Sequence, residues 1–386
     1  MDNNLKYSVW ISLALQGCSR NVWKRIEHDG SASDFYFNFA GGDASGLEKR
    51  EADALRAITA EQAQEIIGYC QKRGYSLVCY DDEAYPDSLR SIDKPPILLY
   101  CMGDVSALSC EYGLSVVGTR HPSAYSVGFT KTVCTELAQM GFTIISGFAL
   151  GIDSAAHYSA LKADAPTIAV LGCGLEYSYP KENDRFKTAI AQKGLVVTEY
   201  MPAAKPDNWK FPQRNRILSA LGSGTLVVEA GIRSGSLVTA KIALEQGRDI
   251  FCMPPADVFD AAYAGNISLL RDGAIPAFDS SDIAEHYIED AERILKIRET
   301  TKTPRHVKVS ESSASAAKTS PPDYSGLSEL QLEVVKLLET GSMHADELAV
   351  KLQRPVADLF LVLTELELLG IIEAQAGKHY ILSGKA

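Results

Sequence analysis

Six short apolar runs constrain this chain more than anything else in it: Leu114 to Val117, Phe142 to Ile145, Thr167 to Leu171, Leu195 to Val197, Thr225 to Val228 and Ile250 to Cys252. Each is rich in β-branched residues and is followed by a polar turn and then a helical pattern. Strands with no polar face, joined by crossover-length helices, are buried on both sides, and this is the grammar of a parallel sheet. The expected fold class is therefore α/β, a doubly wound, Rossmann-like parallel sheet. In such a sheet every strand-to-helix turn falls on one edge. Helix N-termini there present unpaired N–H groups and a partial charge of about +0.5 each, which suits anions.

The turns carry matching residues. Thr119 and Arg120, Ser146 and Gly147, Arg214 and Arg216, and Ser234, Gly235 and Ser236 all follow predicted strands, so several phosphates in a row have partners along one rim. A single nucleotide needs fewer. Tyr125, Phe148, Tyr177, Trp209 and Phe211 accompany these turns; at least half of these rings are expected in the core. The remainder suit a single-stranded nucleic acid, where each stacked base contributes about 1–3 kcal/mol.

Composition bounds the function. A chain of 386 residues predicts two or three domains, and 46% hydrophobic with 23% charged residues describes a globular protein with ample core. The net charge of -11 argues against coating duplex DNA by bulk electropositivity. No long apolar run and no leader-like N-terminus occur, so no membrane association and a cytoplasmic location are expected. The eight cysteines are scattered and read as reduced core thiols. There is no phosphate-binding G-x-x-x-x-G-K-[ST], no H-E-x-x-H and no G-x-S-x-G; Gly172-Cys173-Gly174 is a lone G-x-G. No metal, no cofactor and no catalytic residue are expected. Asp153 and His157 are spaced for an acid/base pair, but Asp153 satisfying N–H groups at a helix start and His157 packing along it is the better reading. Glu229, at the end of a strand, either faces the ligand edge or serves as a partner for a nearby donor.

Domain boundaries follow from composition. Residues 1–84 read as an N-terminal helical, SAM-like domain. There Gly17-Cys18-Ser19 is either a helix-hairpin-helix turn for DNA or plain punctuation. Residues 85–294 form the Rossmann-like core. Residues 295–323, rich in Ser, Thr, Lys, Ala and Pro, read as a flexible linker. Residues 324–386 read as a C-terminal winged-helix domain of three helices and a hairpin turning near Gly377. Its third helix carries Asp358, Glu365 and Glu367 and no Lys or Arg between Val356 and Gly370, so it is expected to contact protein in preference to DNA.

The ordered motifs Gly118-Thr119-Arg120 with Ser123 and Tyr125, Ser146 to Asp153 with Ala156-His157, Thr167 to Gly172, Tyr179-Pro180, Phe211 to Arg216, Glu229-Ala230 and Ser234 to Ala240 resemble the DNA-processing protein A family, DprA/Smf. The resemblance covers nearly the whole chain. It implies a non-enzymatic protein that binds single-stranded DNA and loads RecA recombinase onto it in natural transformation and recombination, and that self-associates as a homodimer. Carried over by motif, the implied DNA-contacting residues are Gly118, Thr119, Arg120, Ser123, Ser146, Gly147, Gly151, Phe211, Arg214, Asn215, Arg216, Ser234, Gly235 and Ser236. The chain departs from the family pattern at Leu150, where Arg is usual, and at Ser126 and Pro255, where Gly is common. A competing resemblance links Gly222 to Glu229 with the LOG-type nucleotide hydrolases of the same fold superfamily. It implies N-glycosidic cleavage of a nucleoside monophosphate by Glu229 and Arg216.

Overall fold

The computed structural model describes residues 3–17, 19–288, 327–369, 371–375 and 379–383. The expected linker 295–323, the turn at Gly377 and Cys18 lie outside the described residues.

The chain opens with α1 (Asn3–Leu15), α2 (Arg20–Asp29), α3 (Ala32–Ala40), α4 (Lys49–Ala57) and α5 (Ala60–Arg73). Their starts are set by side chains that accept from free N–H groups: Ser19 from Val22, Ser31 from Asp34, and Thr59 from Gln62. Trp10, Phe35 and Phe39 fill the space between them.

The core follows as β1 (Ser76–Cys79), α6 (Asp87–Arg90), β2 (Leu98–Gly103), β3 (Gly113–Val117), α7 (Ala124–Gln139), β4 (Thr143–Ser146) and α8 (Ile152–Lys162); it takes in residues before the boundary expected at 84, because β1 pairs with β2. It continues through β5 (Thr167–Val170), α9 (Asp184–Lys193), β6 (Leu195–Thr198), α10 (Lys210–Leu221), β7 (Gly224–Val227), α11 (Gly235–Glu245), β8 (Asp249–Cys252), α12 (Ala264–Arg271), β9 (Ile275–Pro276) and α13 (Ser280–Tyr287). Nine strands form one sheet in the order β1-β2-β6-β5-β4-β3-β7-β8-β9. From β6 through β9 every neighbouring pair is parallel; β3 to β8 are the six apolar runs, and β9 adds to them. The exception is the β1–β2–β6 edge, which is antiparallel. It includes a strand that sequence reasoning missed, because Leu98–Gly103 begins just past Pro95-Pro96-Ile97 and reads as part of that proline-containing stretch.

The strand order also fixes where a ligand fits. After β3 the chain adds β4, β5 and β6 on one side, then returns to place β7 on the other. The connections leaving β3 and β7 therefore part in opposite directions and leave a crevice beyond their carboxyl ends, the switch point at which open α/β sheets hold ligands.

The last unit comprises α14 (Glu329–Leu338), β10 (Met343–His344), α15 (Ala345–Leu352), α16 (Val356–Leu368), β11 (Ile372–Gln375) and β12 (His379–Leu382), with the winged-helix outline expected. Its third helix, α16, lies against the core. Lys131 of α7 donates to Thr364 Oγ1 at 2.9 Å, and Lys162 of α8 pairs with Glu367 at 3.4 Å. Tyr158 sits between them beneath both ammonium groups. Burial, then the hydrogen bond to Glu367, push its phenol pKa up. Glu365 instead accepts from Gln331 of α14.

Among the described residues no helix is long and apolar enough to cross a membrane, and no group of His, Cys, Asp and Glu has the arrangement of a metal site. The seven described cysteines are free and at least partly buried.

Candidate functional site

A cavity of about 470 Å³ opens at the switch point. Gly118, Thr119 and Arg120 reach it from the turn after β3, and Ser234, Gly235 and Ser236 from the turn after β7. Ala149 and Asp153 enter from the β4–α8 connection, and Phe211, Arg214 and Asn215 from the start of α10. An adjoining cavity of about 120 Å³ is lined by Arg120, Gly147, Leu150, Tyr179, Pro180 and Phe211. Turns separated by more than a hundred residues thus meet on one rim, as parallel topology requires.

Backbone hydrogen bonds hold the rim in shape. Thr119 N donates to Glu229 O at 2.8 Å, tying the β3 turn to the β7 turn, and Ile152 N donates to Thr119 O at 3.2 Å, tying in the start of α8. The second contact is possible because Gly151 precedes Ile152: its φ of +81° disfavours other residues, and a Cβ there would lie 2.4 Å from Thr119 O. Gly147 is constrained differently, since its Cβ would meet the Arg214 guanidinium at 2.7 Å and Asp153 Oδ2 at 2.8 Å.

Arg214 is the fixed charge of the site. It is only 6% exposed, its Nη1 donates to Gly147 O at 2.7 Å and to Val170 O, and its Nε donates to Asn215 Oδ1 at 3.2 Å. Asp153 lies beside it and accepts from the N–H groups of Gly147 at 3.1 Å and Ala149 at 3.2 Å. Burial lowers the Arg214 pKa and raises that of Asp153, and in each case the opposite charge of the partner works against the shift. The pair is a buttress that fixes the turn after β4. Arg120, in contrast, is exposed at the mouth, and among the described residues no carboxylate pairs with it.

Other expected residues have different surroundings. Ser123 caps α7, and both its N–H (3.0 Å) and its hydroxyl (2.9 Å) donate to Glu229 Oε2. Glu229 is therefore buried as the anchor of that turn. Ser146 is buried and donates to Val116 O at 2.7 Å, while Gly151 shapes the rim from behind. Arg216 lies away from the cavity, where it is paired with Glu199 at 2.6 Å. Asp153 serves the turn before its helix, and His157 packs in the core with Nδ1 2.7 Å from Thr167 Oγ1. Burial lowers the His157 pKa to about 3.

Of the five rings near the turns only Phe148 is fully buried, fewer than the half expected; Tyr177 packs part-buried against the core, Phe211 lines both cavities, and Tyr125 and Trp209 are exposed. Sequence reasoning missed the slot formed by Leu150, Tyr179 and Pro180 against Phe211. Tyr179 and Phe211 stand 5.3 Å apart, centroid to centroid. Leu150, Tyr179, Pro180 and Phe211 give this slot an apolar wall beside Arg120 and Arg214, which suits the face of a base next to a phosphate.

Residues 76–288 match the family model described as DNA recombination-mediator protein A, and residues 318–378 match the DprA winged helix domain. The chain is 31% identical to Protein Smf of Synechocystis over 328 residues, covering 80% of this chain and 81% of that protein. Its fold is similar to the X-ray structure of DNA processing protein A from Streptococcus pneumoniae, with a TM-score of 0.64 and 28% identity, covering 75% of this chain and 99% of the other. It is also similar to the Helicobacter pylori DNA processing protein A, whose structure concerns its single-stranded DNA binding mode. There the TM-score is 0.50 and the identity 32%, covering 55% of this chain and 94% of the other.

Proposed function

Because the chain belongs to the DNA recombination-mediator protein A family, we propose that its switch-point groove binds single-stranded DNA and that the bound strand is passed to RecA recombinase during transformation and recombination. The observation that carries this reading is the convergence of Arg120, Arg214 and the Ser234-Gly235-Ser236 helix start on one open groove. Exposed Arg120 takes a phosphate directly. Buried Arg214, held by the carbonyl groups of Gly147 and Val170 near the charge of Asp153, contributes charge without moving. The N–H groups at the start of α11 take a further phosphate, since Ser234 caps only one of them. The slot between Leu150, Tyr179 and Phe211 takes an unstacked base. A duplex, whose bases are already stacked in pairs, has nothing to place in that slot.

The proposal rests on binding and positioning, with no chemical step. Two features weigh against the nucleotide-hydrolase alternative: Glu229 is engaged by both donors of Ser123, and Arg216 faces Glu199. Neither group of that pair is directed at a substrate in the cavity. Self-association as a homodimer belongs to the same reading, and light scattering of the purified protein tests it directly.

The functional test is oligothymidylate binding by Arg120→Ala. Loss of one charged contact to phosphate is expected to weaken binding about tenfold or more and to reduce the salt slope by about 0.7. Unchanged affinity, or tighter binding of duplex than of single strand, contradicts the reading. Release of free base from a nucleoside monophosphate would favour the hydrolase instead.

A further inference from the structure

A second and larger cleft, of about 670 Å³, lies on the opposite side of the first turn of α10. It is walled by the end of α1, the starts of α2 and α4, the loop at Lys94, and Trp209 and Gln213 of the α10 start. None of the proposed contact residues falls in it, and of the family motifs only Phe211 to Arg216 reaches it, through Gln213. Resting on the single-stranded DNA reading above, we propose that the strand leaves the switch-point groove, crosses Asn208 and Trp209, and continues into this cleft, so that the N-terminal helical unit forms the second half of the binding track.

Adjacency comes first. Asn208 lines the switch-point groove and Trp209 lines the cleft, so consecutive residues border the two cavities. Along α10 the spacing divides the helix between them: Phe211, Arg214, Asn215 and Leu218 face the groove, and Gln213 faces the cleft one turn after Trp209.

The charge arrangement fits a polyanion. Arg20, Arg50 and Lys94 line the cleft, and among the described residues neither Arg50 nor Lys94 has a carboxylate partner. Arg20 is paired with Asp93 at 2.7 Å on the surface. Glu48 and Glu51 also line it, but Glu51 is turned onto its own helix start, accepting from Glu48 N at 2.8 Å and from Asn21 at 3.2 Å. Residues at the starts of α2, α4 and α10 line the same space, and that of α10 has no side-chain cap. Trp209, 43% exposed, stands at the crossing with its indole N–H donated to Asp207 at 2.7 Å, which fixes the ring and leaves a face for a base.

The experiment compares a thymidylate oligomer of about six nucleotides, enough for the groove, with one of about twenty, on the full chain. The wild type is expected to bind the longer oligomer more tightly. Arg50→Glu with Lys94→Glu, both exposed positions, is expected to weaken the longer oligomer about tenfold and lower its salt slope by about 1.4, while short-oligomer affinity stays within about twofold. Tryptophan fluorescence gives a second readout, because Trp10 and Trp23 are buried and Trp209 is the exposed one of the three. The longer oligomer should quench it in the wild type, and Trp209→Ala should abolish the response. Equal affinity of the longer oligomer for the wild type and the double charge reversal overturns the cleft. If the reversal acts but Arg120→Ala has no effect on either oligomer, the cleft stands and the switch-point reading falls.

Discussion

At the residue scale, two arginines spaced two apart on α10 take opposite roles. Successive helical residues are turned by about 100°, so Arg214 and Arg216 lie roughly 200° apart around the axis. Arg214 enters the groove under Gly147 and Asp153, and Arg216 meets Glu199 on the far side. A motif containing both residues signals an arginine at the rim without indicating which one. Gly147 has no room for a side chain because Arg214 fills that space, whereas a Cβ on Gly235 meets nothing within 4 Å. Gly147→Ala is thus expected to cost about 1–3 kcal/mol in unfolding titrations and to weaken oligonucleotide binding, while Gly235→Ala should fold at least as stably as the wild type. His157 gives a pH signature. Its folded pKa is lowered to about 3 from 6.5, so the unfolded chain binds a proton that the native one refuses between those values. Its contribution therefore makes stability fall as pH drops from about 6.5 towards 3, and His157→Asn should flatten that limb of the unfolding profile; an unaltered limb would place the acid sensitivity elsewhere.

At the element scale, the helix that matters most is α7, and its start is fixed by a residue 106 positions away: Glu229 accepts twice from Ser123, and Tyr263 adds a 2.8 Å contact to the same hydroxyl. Glu229→Gln is expected to destabilise the fold by about 1–2 kcal/mol, since a charge-assisted acceptor becomes a neutral one. Single-strand affinity should change little; a large loss of affinity at unchanged stability would instead give Glu229 a direct place in the site. The parallel strands from β3 to β8 were legible because each is an apolar run with turn residues at its carboxyl end. That regularity sufficed to bring Gly118, Thr119, Arg120 and Ser234 to one edge before any coordinates. What the pattern did not carry was proximity between connections of irregular shape. The slot of Leu150 with Tyr179 and Pro180 depends on how two loops lean together, and no periodicity encodes that. Ser123 and Ser146 show the same limit from the other side, because a serine that caps a helix or bonds a carbonyl reads like one that meets a phosphate.

At the scale of the whole molecule, a chain of net charge -11 still places exposed arginine and lysine at two cavities, one within the core and one where the N-terminal helices meet α10. The winged-helix unit shows the converse. Glu367 on its third helix is matched by Lys162, and Thr364 by Lys131, so the surface that would enter a DNA groove is engaged by the core. Such exposed or part-buried pairs contribute little each, about 0–1 kcal/mol. Lys131→Glu with Lys162→Glu is therefore expected to increase hydrogen exchange in α16 without changing the melting of the core, and unchanged exchange would mean that apolar packing alone holds the unit there. The central claim, that one rim of the sheet grips a single strand, is tested most directly by ultraviolet cross-linking of the full chain to oligothymidylate, with the adducts mapped by mass spectrometry. The account predicts adducts in the peptides containing Tyr179 and Phe211, lost on competition with unlabelled single strand and not with duplex. Adducts confined to the winged-helix unit, with none at the switch point, would contradict it.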